Sequence, residues 1–228
     1  VFVPDAGYGN MNVLANRQAF VDDLADLIDT GYWQNQGYVN NLHLFNYYYM
    51  TESGTAAAPA AGEICPQVTW PDEADTDAAF ADLVLLVHTN VLRDCRWGSR
   101  ATTEPTSYRT VVHETSHALF NLPDEYCCDG GYREVKPVMY DTRSECVTDS
   151  VNAPWRSCNR INSTRDRDGD GSNDVWWRSE QPQDIMGSVS GVAEFGQADW
   201  VVVKDVLDDL GRVNDPTVFA PDSWAWTP

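Results

Sequence analysis

The stretch PTSYRTVVHETSHALFNLPDEY, from Pro105 to Tyr126, decides how this chain folds. Pro105, Thr106 and Ser107 are helix-start residues, Val111, Val112, Ala118 and Leu119 continue an apolar face, and Pro123 cannot prolong a helix. The spacing predicts a helix from about Thr106 to Asn121. His113 and His117 stand on it four residues apart in an HExxH pattern. One turn takes about 3.6 residues, so two imidazoles leave the same face and can converge on one tetrahedral zinc at about 2.0–2.1 Å. Glu114 sits one position round, out of reach as a third ligand but suited to hydrogen-bond a zinc-bound water. Zinc lowers the pKa of such a water towards about 7, so Glu114 can take its proton as general base and pass it to a leaving amine.

A catalytic zinc needs a third protein ligand and one open position. The helix ends before Pro123, and a turn there can bring a carboxylate back to the metal. Asp124 is the first candidate and Glu125 the second, because adjacent side chains seldom point the same way. The two other histidines, His43 and His88, lie in strand-like segments and read as packed or surface residues.

Outward from this helix, Leu83 to Val87 (LVLLV) is a continuous apolar run of the kind found in a central strand covered on both faces. Val1 to Val3 reads as a short strand. Phe20, Val21, Leu24, Leu27 and Ile28 recur at helical spacing up to Gly31. Leu42 to Met50 alternates loosely as a partly buried strand does, Ser53 to Gly62 reads as an exposed loop, and Asp75 to Phe80 as a helical turn. Beyond Pro123 periodicity fades until Ala198 to Leu210, a final helix with Trp200, Val203, Leu207 and Leu210 inward and Gly211 as stop. The fold class expected is α+β: residues 1–122 form an upper α/β subdomain with a twisted mixed sheet and the zinc helix. Residues 123–228 form a lower, irregular, disulfide-rich subdomain ending in a helix, and the two make one catalytic domain.

The 228 residues suffice for such a domain, and 43% hydrophobic residues with nine Trp exclude a disordered chain. Thirty-five acids, 25 of them Asp, against 15 bases give a net charge of −20, which argues against nucleic acid and anionic membranes as partners. No run approaches the roughly 18 to 20 apolar residues of a membrane span. The chain starts at Val1 without an initiator Met or a leader, which reads as a processed or trimmed form. Six cysteines and no CxxC pair favour disulfides and an oxidising, extracellular compartment. The expected bridges join Cys65 to Cys95, and the adjacent Cys127 and Cys128 to Cys146 and Cys158.

A second metal signal is DRDGDGSND, Asp166 to Asp174. Asp166, Asp168, Asp170 and Asp174 fall at positions 1, 3, 5 and 9 of an EF-hand or thrombospondin-type calcium loop, with Gly171 at 6 and Ser172 among them. Position 12 is Trp177, so Glu180, another carboxylate or water would have to complete the coordination. Calcium there would order the irregular subdomain.

HETSHALFNLPDEY (His113 to Tyr126) resembles the HExxH, Leu, Asp-Glu-Tyr signature of the immunoglobulin A peptidase family of zinc metallopeptidases, relatives of the metzincins. PDAGYG near the start, FNYYYMTESG (Phe45 to Gly54) and APW (Ala153 to Trp155) resemble further segments of that family, so the likeness touches most of the chain from Asp5 to about Met186. It implies a metzincin-like fold and Asp124 as third ligand. Asp184-Ile185-Met186-Gly187 looks like the methionine turn beneath the zinc, with Met139 as runner-up. The chain departs from the long metzincin motif at Phe120 and Pro123, where that motif has Gly and a third His.

The leading expectation is a secreted, monomeric zinc endopeptidase that binds a protein or peptide substrate extended across its cleft. Two others share some of these residues: a calcium-stabilised, non-enzymatic surface or adhesion module, and a zinc amidase or esterase acting on a non-protein substrate. An intact Glu114 separates the first of these from an enzyme, because a structural site does not need a general base.

Overall fold

A computed structural model describes residues 1–125, 132–151, 153, 158–166, 169–179, 184–187 and 193–210. In chain order these form β1 (Phe2–Pro4), α1 (Leu14–Asp26), α2 (Gln36–Val39), β2 (Thr55–Ala57), β3 (Gln67–Thr69), α3 (Glu73–Thr76), β4 (Val84–Val87), β5 (Arg96–Trp97), β6 (Arg100–Thr103) and α4 (Tyr108–Leu119). Then come β7 (Met139–Tyr140), α5 (Arg143–Ser150), β8 (Cys158–Asn162), β9 (Val175–Ser179) and α6 (Gln197–Leu210). The protein is a mixed α/β fold with several small sheets.

The apolar run at 83–87 becomes β4, buried throughout, because it lies inside a four-stranded sheet of order β1-β4-β6-β5. It pairs parallel to β1 (Phe2 opposite Leu85) and to β6 (Leu85 opposite Ala101), while β5 closes the edge antiparallel to β6. The helical periodicity around Phe20 becomes α1, which buries Phe20 and Leu24 and runs into a wider π turn over Leu27–Gly31. Gly31 is required there: a Cβ would lie 2.7 Å from the Tyr108 carbonyl at the start of α4, so this turn and the site helix touch backbone to backbone. Asp5, buried after β1, accepts from Gly7 N and Ala56 N at 2.8 Å each and ties β2 to the sheet end.

One hydrophobic core gathers Phe2, Phe20, Leu85 and Val111 from the first half with Val138, Met186, Trp200 and Leu207 from the second. The chain on both sides of residue 122 therefore contributes to the same interior.

Four expectations are corrected. Leu42 to Met50 is not a strand: Leu42–Leu44 is a 3-10 turn, and only Phe2 and Tyr49 form a bridge beyond it. Phe45 and Tyr47 pack on the core while Tyr48 and Tyr49 are exposed, and the backbone meets β1 at two bonds, Phe2 N to Tyr48 O and Met50 N to Phe2 O. Leu210 is 59% exposed, since the final helix has turned its last residue away from the core. The stretch after Pro123 holds more regular structure than its weak periodicity predicts, namely α5 and an antiparallel sheet of order β7-β9-β8. Cys65 bonds Cys95 as expected, but Cys146 bonds Cys158, because α5 packs directly against β8 and β9. Cys127, Cys128, Tyr126, Trp155, Glu180 and Gly211 lie outside the described residues. Among the described residues no helix is long and apolar enough to cross a membrane.

Candidate metal centre

The site begins with how α4 ends. Asn121 takes a left-handed conformation (φ 58°), one of the few non-glycine residues that tolerates it, and stops the helix two residues before Pro123. Leu122 N then donates back to Ser116 O at 3.4 Å, and the Leu122 carbonyl accepts from Nδ1 of His117 at 2.7 Å. The same turn returns Asp124 to the helix face, where its Oδ1 lies 3.1 Å from Nε2 of both His113 and His117. Glu125, the next residue, points away and is buried beside Asp184 and Asp199. Of the two candidates for third ligand, the structure brings Asp124 to the histidines.

His113 is buried, and its Nδ1 stands 2.9 Å from the Ile185 carbonyl. Carbonyls only accept, so the Nδ1 atoms of both imidazoles carry the hydrogen, and each Nε2 turns its lone pair inward. The two Nε2 atoms are 3.0 Å apart. A hydrogen on either Nε2, donated to Asp124, relieves the repulsion among these atoms, and a shared cation could do the same. These three residues offer one ligand atom each and could hold an ion. The carbonyls behind the imidazoles fix tautomer and ring orientation, as outer-shell partners do in metal sites.

Met186 is fully buried in the turn Ile185 to Gly187. That turn holds the site from below: Ile185 O receives His113, Met186 O accepts from Glu125 N at 3.2 Å, and Asp184 Oδ1 accepts from Gly187 N at 2.7 Å. Met139 belongs to a separate cluster with Tyr132 and Ile161.

Electrostatics follow from burial and these contacts. Burial opposes the charge on His113, yet hydrogen bonding to Asp124 and the nearby Glu114 and Asp124 carboxylates outweigh it and raise its pKa. Burial also opposes the Asp124 carboxylate, but the two imidazoles hold it well below the usual range. Glu114 is raised, by burial first, with Asp124 and Asp94 adding to the effect against the two histidines. Its carboxyl opens, together with His117 and Asp124, onto a cavity of about 280 Å³. A carboxyl whose pKa is raised beside two imidazoles and a carboxylate is placed where general acid–base chemistry can be done.

Two further features went unread in the sequence. His88 is fully buried, with Nε2 at 3.1 Å from Asp94 Oδ1 and Nδ1 at 2.8 Å from Asn90 O, and Asp94 lines the same cavity as Glu114. The carboxylates Glu125, Asp184 and Asp199 form a buried group behind the triad. No spacing signal marks either one, since their members come from distant segments. In the loop joining β8 to β9, Asp166 accepts from the amides of Gly169, Asp170 and Gly171, and Asp170 accepts from Ser172. Gly169 and Gly171 have positive φ there, Asp174 accepts at its carbonyl from Ser163 N, and Asp168 lies outside the described residues. His43 is exposed.

No protein-family model matches this chain, and neither a curated protein nor a solved structure does.

Proposed function

We propose that this protein is a secreted, zinc-dependent endopeptidase of metzincin-like architecture. The observation that carries the reading is the convergence of His113 Nε2, His117 Nε2 and Asp124 Oδ1 within about 3 Å of one another. Glu114 opens on the cavity beside them. Two imidazoles and one carboxylate with backbone-fixed tautomers suit zinc and leave room for an open position. Zinc held there supplies Lewis acidity, polarising a carbonyl oxygen and making water more acidic. Glu114 takes the proton of the water that attacks the scissile carbonyl and returns it to the departing amine. Asp124 supplies the anionic member of the triad, and the Ile185 and Leu122 carbonyls keep the imidazoles aimed. The buried Met186, next to the Ile185 whose carbonyl receives His113, supports the metzincin likeness, and the two disulfides among the described residues support an oxidising compartment. The loop at 166–174 is assigned to calcium, its glycines supplying the left-handed turns such a loop uses.

Metal analysis combined with hydrolysis of an unfolded protein tests the reading. About one zinc per chain is expected, a chelator should abolish hydrolysis, and Glu114→Ala should keep the metal while losing activity by roughly 100-fold or more. Full activity after zinc removal, or in Glu114→Ala, would overturn it.

A further inference from the structure

The cavity beside Glu114 carries a charge pattern that the hydrolytic chemistry does not use. The protein has 13 Arg and 2 Lys against 35 acids, yet Arg93, Arg96, Arg133 and Arg165 all line this one cavity. Two of the three acids that share it are already engaged, Asp94 with His88 and Asp124 with two imidazoles, and Glu114 is the third. Among the described residues, Arg96, Arg133 and Arg165 have no carboxylate at ion-pair distance. Arg133 is half-buried, its Nε is shielded and without a hydrogen-bond partner, and its Nη2 is spent on the Asn121 and Leu122 carbonyls. Burial lowers its pKa and the nearby Arg96 charge lowers it further, outweighing the opposite pull of Asp124, so two guanidiniums repel each other across the cavity wall. Repelling, partly desolvated cations in a strongly acidic protein mark a place where an anion is expected to complete the charge balance.

We propose that Arg96 and Arg133, with the exposed Arg165, form a carboxylate-binding subsite beside Glu114, so that the substrate is a peptide presenting a carboxylate next to the scissile bond. This rests on the peptidase reading above and narrows its substrate class. The general acidic surface does not oppose it, because charges further off than about 8–10 Å are largely screened at moderate salt, whereas a guanidinium in contact is not. Arg96 lies on β5, the edge of the sheet, where an extended peptide can run alongside. The carboxylate has two sources, an Asp or Glu side chain or the peptide's own C-terminus.

The test uses the zinc-loaded protein and synthetic peptides matched except for charge. One set carries Glu or Gln at each position flanking the scissile bond, with both termini blocked, and a second set carries neutral side chains with a free or an amidated C-terminus. At least one carboxylate should raise kcat/KM by about tenfold or more over its neutral match, as a good charge-assisted pair does. The set that responds identifies the source. Arg96→Ala should bring the ratio to within about twofold, and Arg96→Glu should invert it in favour of a Lys-bearing peptide, an effect that loss of folding does not produce. Cleavage of neutral and anionic peptides at equal rates overturns the subsite alone. Failure to cleave any peptide, with zinc bound, overturns the peptidase reading and the subsite with it.

Discussion

Asp124 and Glu125 are neighbours in sequence with opposite surroundings, and the difference is made by one residue's backbone. With Asn121 left-handed, the chain leaves α4 so that Asp124 faces the imidazoles and Glu125 faces Asp184 and Asp199. Asp124→Ala is therefore expected to weaken zinc affinity by more than about tenfold, since even outer-shell partners cost 10–100-fold. Competition with a chromophoric chelator measures it, and a larger loss in Glu125→Ala would reverse the assignment. The group behind the triad has its own signature. Burial, and next Asp184, raise the Asp199 carboxyl well above its usual range. The folded protein thus keeps a proton that the unfolded chain releases near pH ~3.9. Stability from this group is complete below that pH and is lost as pH rises through the folded pKa. Asp199→Asn, whose amide oxygen can still accept from Gly196 N, should lose less stability than the parent between about pH 5 and about pH 8 in denaturant unfolding. Parallel loss in both proteins would show that Asp199 ionises without penalty.

The elements that are legible in the sequence are those whose periodicity matches a long-range partner. The LVLLV run reads as a central strand because both faces of β4 are covered, and α4 reads as a helix because its apolar face, with Val111 and Val112, meets the core. The convergence of His113 and His117 was legible because helical geometry alone sets the i, i+4 relation. Asp124 was legible as a position after a helix stop, but its choice over Glu125 depends on a backbone angle that no pattern encodes. α5 escaped for the opposite reason: RSECVTDS is mostly polar, and the local signal that does exist is an N-terminal cap made by Thr142 and Glu145. In it Thr142 Oγ1 accepts from Glu145 N at 3.3 Å, and the Thr142 hydroxyl donates to the Glu145 carboxylate at 2.8 Å. The Leu42 to Met50 stretch alternates like a strand yet forms a turn and one bridge, because Phe45 and Tyr47 pack on the core while the backbone bonds β1 at few points. The β8–β9 loop belongs to this scale too. Its Asp166 and Asp170 organise backbone amides, and calcium is expected to add to that by binding the folded loop and not the unfolded chain. At about 100 times its Kd the ion would add about 2.7 kcal/mol, visible as a rise in melting temperature on calcium addition. An unchanged melt would mean that the amide bonds suffice and that the loop needs no ion.

At the scale of the molecule, one interior is shared by chain segments far apart, and a covalent tie lines the cavity beside Glu114. Met186 and the α6 residues Trp200, Val203 and Leu207 enter the same core as β4 and α4, so the floor of the site and the helix above it are parts of one packing unit. Cys65 and Cys95 both line the cavity that holds Glu114 and Asp124, and their bridge spans 30 residues of sequence. Cys95 directly precedes Arg96, and its amide also receives support from Thr102 Oγ1 at 3.0 Å, which fixes the start of β5. Closing a loop of that length removes about 3.5 kcal/mol of chain entropy from the unfolded state. Replacing both cysteines by Ser should lower the unfolding free energy by up to about that amount. Because the bridge anchors the wall carrying Arg96 and not the triad itself, the same variant should keep its zinc affinity while its preference for anionic peptides weakens. Zinc titration and paired Glu and Gln peptides measure the two effects on one preparation. A parallel loss of zinc binding would mean that the bridge holds the whole cavity, triad included, and that wall and metal centre are a single mechanical unit.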